Sequence, residues 1–252
     1  MESNTKEDNE QKEFTFLEFL FPNWINLNFW KYCSFNNEQI RKIAEESMRE
    51  QIIKIAEEST QGKLDQNNMK LLLSSNENML IYLKTLNKHR SKLINLEEAP
   101  YSIIKSIMIS FIEKLSNEIP LPEEQNVLFY EVMEYILILS QTFYHTTKEN
   151  NETKRVLLQD ELTYLNIWKN NNLWLFLIFK HIETEKEKKQ IALIQKESER
   201  ETKAKNIYSS TVITYEFNMK SLGISKDTIG VIKEECKKKY NLSDEAIPDL
   251  EL

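Results

Sequence analysis

The side chains best suited to chemistry in this 252-residue chain are three histidines, His89, His145 and His181, and two cysteines, Cys33 and Cys236. A zinc site needs such ligands at short, regular spacings, so that one helix turn or one loop can aim two of them at a single ion. Here they are scattered, and no H-E-x-x-H, H-x-H or C-x-x-C occurs. His181-Ile-Glu183 has the H-x-E spacing with which a glutamate moves protons beside a zinc-bound water, but the P-C-x-x-C that would complete the metal's shell is missing. Nucleophilic catalysis finds no G-x-S-x-G elbow, and neither cysteine stands in a recognisable catalytic setting. The carboxylate pairs Glu45-Glu46, Glu57-Glu58 and Glu123-Glu124 fall on helix surfaces or first helix turns, where solubility and the helix dipole account for them. No residue is therefore assigned a catalytic, cofactor-binding or metal-binding role, and the expectation is a non-enzymatic protein.

The elements that would have to position any site are helical. Only three glycines occur, Gly62, Gly223 and Gly230, and five prolines. Phosphate-cradling loops and tight hairpin turns depend on residues that tolerate positive φ, so neither is expected, and the P-loop and G-x-G-x-x-G patterns are absent. A composition 40% apolar and 29% charged is ordinary for a globular protein. The expected fold class is all-α, an antiparallel multi-helix bundle or an irregular helical array. A formal net charge of −7 argues against a nucleic-acid surface, which needs clustered basic excess. Two distant cysteines form no disulfide framework, and the polar, acidic stretch Met1 to Glu10 lacks the basic-then-apolar order of a signal peptide. A cytoplasmic location is the expectation. The longest apolar run, Leu173 to Phe179, falls far short of the ~18 residues needed to cross a bilayer.

Four regions are expected: a disordered acidic tail over 1–12, a helical core domain over 13–180, a charged helix or connector over 181–205, and a C-terminal helix pair packing on the core over 206–252, with a short tail. Phe14 to Trp30 concentrates five phenylalanines and two tryptophans around Pro22. Such a stretch is either buried against the body or offered to a membrane interface or partner. From Asn36, with Gln39 as a capping-box partner, apolar residues recur at helical spacing up to Gly62. The near-repeat of Ile40 to Ser47 as Ile52 to Ser59 has no third copy and does not indicate a solenoid. Further helices are expected at 66–73, 76–90, 97–117, 123–145, 152–165, 170–203, 205–221 and 225–239. Ser75 or Asn76, Pro120 with Pro122, and Ser225 supply start signals, and Gly223 a positive-φ stop. Trp168 and Trp174 are six residues apart, about 240° around a straight helix. They can share a core only if the chain bends at Asn170-Asn-Asn172, with Trp168 closing one segment and Trp174 opening the next, both against the helix that ends at Leu137 to Tyr144.

Leu73-Ser-Ser-Asn-Glu-Asn78, followed by Tyr82, Leu86 and Arg90 and then by the apolar helix ending in Thr142-Phe-Tyr144, resembles a helical module of the SET-binding-factor (myotubularin-related) pseudophosphatases and of a related uncharacterised cytoplasmic family. Leu157 to Trp174 is similar to the "YLQxxL…IWxxxxFW" stretch of that module and of MADD-type DENN proteins, and Tyr208 to Met219 to its next apolar helix. The likeness covers roughly residues 70–240, and its positions are packing residues. It implies a helical module attached to regulators of membrane traffic and transfers no catalytic residue. No DENN domain, phosphatase loop or pleckstrin-type domain accompanies it in the sequence. The functional expectation is a cytosolic protein-interaction module, a scaffold or regulator in small-GTPase or membrane-traffic signalling, whose partner is a protein such as a small GTPase or its regulator. Direct Rab-type regulation and peripheral membrane binding through 14–30 are the alternatives.

Overall fold

A computed structural model describes residues 37–90, 94–149 and 152–242. The aromatic stretch 14–30, the acidic tail 1–12 and Cys33 lie outside the described residues. The chain divides into two compact units, Met1–Gln51 and Ile52–Leu252. The described part of the first is helical and belongs to α1, Asn37–Ser59, on which Arg41 and Glu45 form an exposed ion pair one turn apart at 2.9 Å.

The second unit takes in the end of α1 and then α2 (Gln66–Leu72), α3 (Asn76–His89), β1 (Asn95–Leu96), α4 (Glu98–Leu115), α5 (Val127–Ser140), β2 (Tyr144–Glu149), β3 (Glu152–Leu157), α6 (Asn171–Lys188), α7 (Glu197–Ser221) and α8 (Lys226–Tyr240). The fold is predominantly all-α, and a small sheet in the order β1-β2-β3 is its one departure among the described residues. Helix α3 packs on α5, α5 on α6, and α6 on α7, while α8 lies against both α6 and α7. Among the described residues no helix is long and apolar enough to cross a membrane.

Local sequence explains most of the helix ends. Ser75 and Ser225 accept hydrogen bonds from the backbone N–H groups of Asn78 and Thr228, each at 3.2 Å, and so start α3 and α8 as their positions predict. Gly223, at φ 74°, stops α7: its N–H reaches the Lys220 carbonyl, and the next N–H reaches that of Met219. Gly62, at φ 78°, is doubly constrained, because a Cβ there would also stand 3.1 Å from the Cβ of Ala99.

Four expected helices are corrected. The helix expected over 123–145 starts only at Val127, where Asn126 caps it, and stops at Ser140. The region expected as helix over 152–165 begins instead as β3, which pairs antiparallel with β2 from Tyr144↔Leu157 to Glu149↔Glu152. Four β-branched residues within the two strands, Thr146, Thr147, Thr153 and Val156, favour pleated backbone over helix. The helix expected over 170–203 is two helices. Gln190 takes left-handed backbone at φ 50°, and Ile191 turns into the core in a short 3-10 turn before α7 begins. The separate start expected at 205 is absent, and α7 runs unbroken from Glu197.

Candidate functional site

The three histidines remain apart. His89 ends α3, His145 lies in β2 and His181 in α6. His145 turns its ring onto Tyr101 of α4 (centroids 5.4 Å apart) and its Nδ1 toward the Leu96 carbonyl at 3.2 Å. Cys236 is buried on α8, and burial pushes its thiol up to about 12, so it is no nucleophile near neutral pH. Glu183, of the H-x-E triplet, pairs with Lys180 at 2.9 Å. Among the described residues no group of three or more histidines, cysteines and carboxylates is placed to hold a metal ion.

The densest convergence of titratable groups is one that sequence reading did not single out. Tyr130 and Glu134 stand one turn apart on α5 and so share a face. His181 reaches that face from α6: its Nδ1 is 3.0 Å from the Tyr130 hydroxyl and 3.5 Å from Glu134 Oε1. From α7, Tyr215 donates its hydroxyl proton to the same Glu134 oxygen. Burial, then the negative charges of Glu134 and Glu185, raise the Tyr130 phenol well above its ordinary range. Burial followed by Glu134 does the same for Tyr215. Both phenols thus hold their protons and serve as donors. The group ties α5, α6 and α7 into one hydrogen-bonded junction. The legible signal was the i,i+4 pair Tyr130 and Glu134 on a largely apolar helix.

A second polar group joins α7 to α8. Glu216 and Lys233 are 2% and 4% exposed, and Lys233 Nζ meets Glu216 Oε2 at 2.9 Å while Lys220 Nζ meets Oε1 at 3.1 Å. An ion pair this deep survives desolvation only because close oppositely charged atoms satisfy one another.

The tryptophans form the third feature. Trp168 sits in a 3-10 turn, Asn166–Lys169, and Trp174 in the first turn of α6, which Asn170 caps by accepting from the Asn172 N–H at 2.9 Å. The chain therefore bends at 170–172 as their spacing requires. The rings lie 5.8 Å apart, both buried. The Trp168 indole N–H donates to the Leu162 carbonyl at 2.9 Å, and that of Trp174 to the Trp168 carbonyl at 2.7 Å. Trp174 meets Tyr215 edge to face, so the aromatic core runs into the polar junction.

Asn78 is buried on α3. Its side-chain amide donates to the Leu71 carbonyl and to Ser74 Oγ, each at 2.9 Å. Tyr82, also buried, shares a 3.0 Å hydrogen bond with Ser59, and Leu86 is buried one turn further on. These positions cap and pack. No protein-family model matches this chain, and no curated protein or solved structure is significantly similar to it.

Proposed function

We propose that the protein is a non-enzymatic, cytosolic interaction module, acting as a scaffold or regulator in small-GTPase or membrane-traffic signalling. The observation that carries the interaction reading is how the described side chains are used. The groups that could do chemistry are spent on one another between helices, as at Tyr130, Glu134, His181 and Tyr215. Large apolar side chains meanwhile stand in solvent, with Leu193 at 73% and Tyr164 at 63% exposed. The membrane-traffic part rests on the resemblance of 70–240 to the helical module of trafficking regulators.

Proximity labelling in cells with the full chain tests the reading: GTPase regulators or trafficking proteins are expected among the labelled neighbours, and a set without either would remove the membrane-traffic part. Nucleotide-exchange assays against a panel of Rab proteins separate scaffolding from direct regulation. Unchanged exchange rates are expected, and acceleration of any one would replace scaffold by regulator. Co-sedimentation with liposomes, with and without residues 1–34, decides whether the aromatic segment brings the module to a membrane.

A further inference from the structure

Among the described residues, the pair of strands β2 and β3 ends in an unused edge. β2 is paired on both sides, with β1 and β3, whereas β3 is the last strand of the sheet. The Leu158 N–H donates to the Phe143 carbonyl at 2.9 Å, which fixes the alternation of the ladder. Counting from that pair, residues 152, 154 and 156 bond inward to β2, and the backbone groups of Thr153, Arg155 and Leu157 point outward. The Leu157 N–H is taken by Asp160 Oδ2 at 3.1 Å, and its carbonyl by the Tyr101 hydroxyl at 3.2 Å. Among the described residues nothing engages the outward N–H and C=O groups of Thr153 and Arg155.

The side chains beside that edge have a definite charge. His145 packs on Tyr101, so the face it shares with Val156 and Lys154 turns toward α4. The opposite face carries Tyr144, Thr146 and Lys148 from β2 and Thr153, Arg155 and Leu157 from β3. It holds two cations and no acid, in a chain whose formal net charge is −7. The Arg155 guanidinium lies over the Tyr144 ring at 5.0 Å, which steers it along this face.

We infer that the outer edge of β3 is a docking site for an extended acidic polypeptide segment, which adds as a fourth strand with its carboxylates beside Arg155 and facing the charge of Lys148 across Thr153. Main-chain hydrogen bonds to Thr153 and Arg155 supply the attachment, and alternate side chains supply the selection. A second copy of this chain is the poorer occupant. Two-fold antiparallel pairing centred on the strand sets Lys154 against Lys154 or Arg155 against Arg155, and directly opposed like charges destabilise a ladder. The inference names a partner chemistry for the interaction reading above and rests on it.

The test is fluorescence anisotropy of the full chain with three labelled peptides: Thr-Glu-Val-Glu-Val-Glu-Thr, its lysine counterpart, and the acidic peptide N-methylated at alternate amides. The acidic peptide is expected to bind, and the other two at least about tenfold more weakly. Thr153→Pro removes one outward donor and leaves the ladder to β2 intact, because that N–H does not face β2. Thr153→Pro and Arg155→Glu should each weaken the acidic peptide about tenfold with helical circular dichroism unchanged. Should either variant misfold, Lys148→Glu on β2 and the N-methylated peptide on the wild-type chain decide the question in its place. Equal binding of methylated and unmethylated acidic peptides would reduce the site to charge attraction and overturn the fourth strand, as would no binding at all. Either result leaves the interaction reading to its own labelling test, which does not depend on this edge.

Discussion

At the scale of single residues, the two tryptophans show how a side chain can be structural for two reasons at once. Trp174 is wholly buried, its ring meets Trp168 and Tyr215, and its indole N–H satisfies the Trp168 carbonyl within the preceding 3-10 turn. Trp174→Ala should cost about 3–5 kcal/mol, from lost transfer energy and the cavity left behind. Trp174→Phe keeps most of the apolar bulk and loses the donor, so its cost should fall to about 1–3 kcal/mol, that of one unsatisfied buried carbonyl. Urea melts followed by circular dichroism measure both. Equal costs would mean that the indole hydrogen bond contributes nothing. Trp168→Ala belongs with the larger loss, because its N–H to Leu162 closes the turn that aims the chain into α6.

At the scale of elements, α8 is held on α7 by a buried charge pair as well as by aliphatic contact. Lys233→Met removes the cation and leaves Glu216 deep in the fold, a change expected to destabilise by about 3–5 kcal/mol. The double variant Lys233→Met with Glu216→Leu should recover most of that loss, because the buried carboxylate is then gone and Lys220, its other partner, is exposed enough to turn to water. Denaturant midpoints of the two single variants and the pair form the cycle, and a double variant no better than Lys233→Met would show that packing and not charge holds α8. Much of this level was legible in the sequence where the cause is local. Ser75, Ser225 and Gly223 mark helix ends through side-chain caps and positive φ, which neighbouring residues alone determine. The two paired strands were not legible, since no glycine marks them in the sequence and the pattern of β3 is polar. The break at Gln190 was hidden for the opposite reason. Charged residues at i,i+3 and i,i+4 spacings flank it on both sides, and at the break Ile191 is drawn into the core, a tertiary cause. The Tyr130, Glu134, His181 and Tyr215 junction required knowing which helices are neighbours, and apart from the Tyr130 and Glu134 spacing no local signal encodes that.

At the scale of the whole molecule, the same phenols that stitch the helices together set a limit on the pH the fold tolerates. Tyr82, Tyr101, Tyr130, Tyr215 and Tyr240 all have their ionisation raised, in every case chiefly because burial penalises the phenolate. At Tyr130 and Tyr215 the Glu134 carboxylate adds to the same direction. A group whose pKa is higher folded than unfolded contributes stability that is fully present below the unfolded value, here 10.0, and is lost as pH rises toward the folded one. The unfolded chain releases these protons first, so stability should hold up to about pH 9 and then fall. The slope should approach ~1.4 kcal/mol per pH unit for each phenol that stays protonated in the fold, as it does for Tyr82 and Tyr215, which are the most deeply buried. Because the phenols sit on different helix junctions, the loss should be cooperative. On raising the pH, tyrosinate absorbance from the buried rings and the loss of helical circular dichroism are expected in one coincident transition. Tyr215→Phe deletes one such proton-holding group along with its hydrogen bond to Glu134, so it should lower stability at neutral pH and flatten the alkaline fall. Smooth titration of all the tyrosines near the ordinary phenol value, with the helices still intact, would mean that the junction between α5, α6 and α7 is open to water.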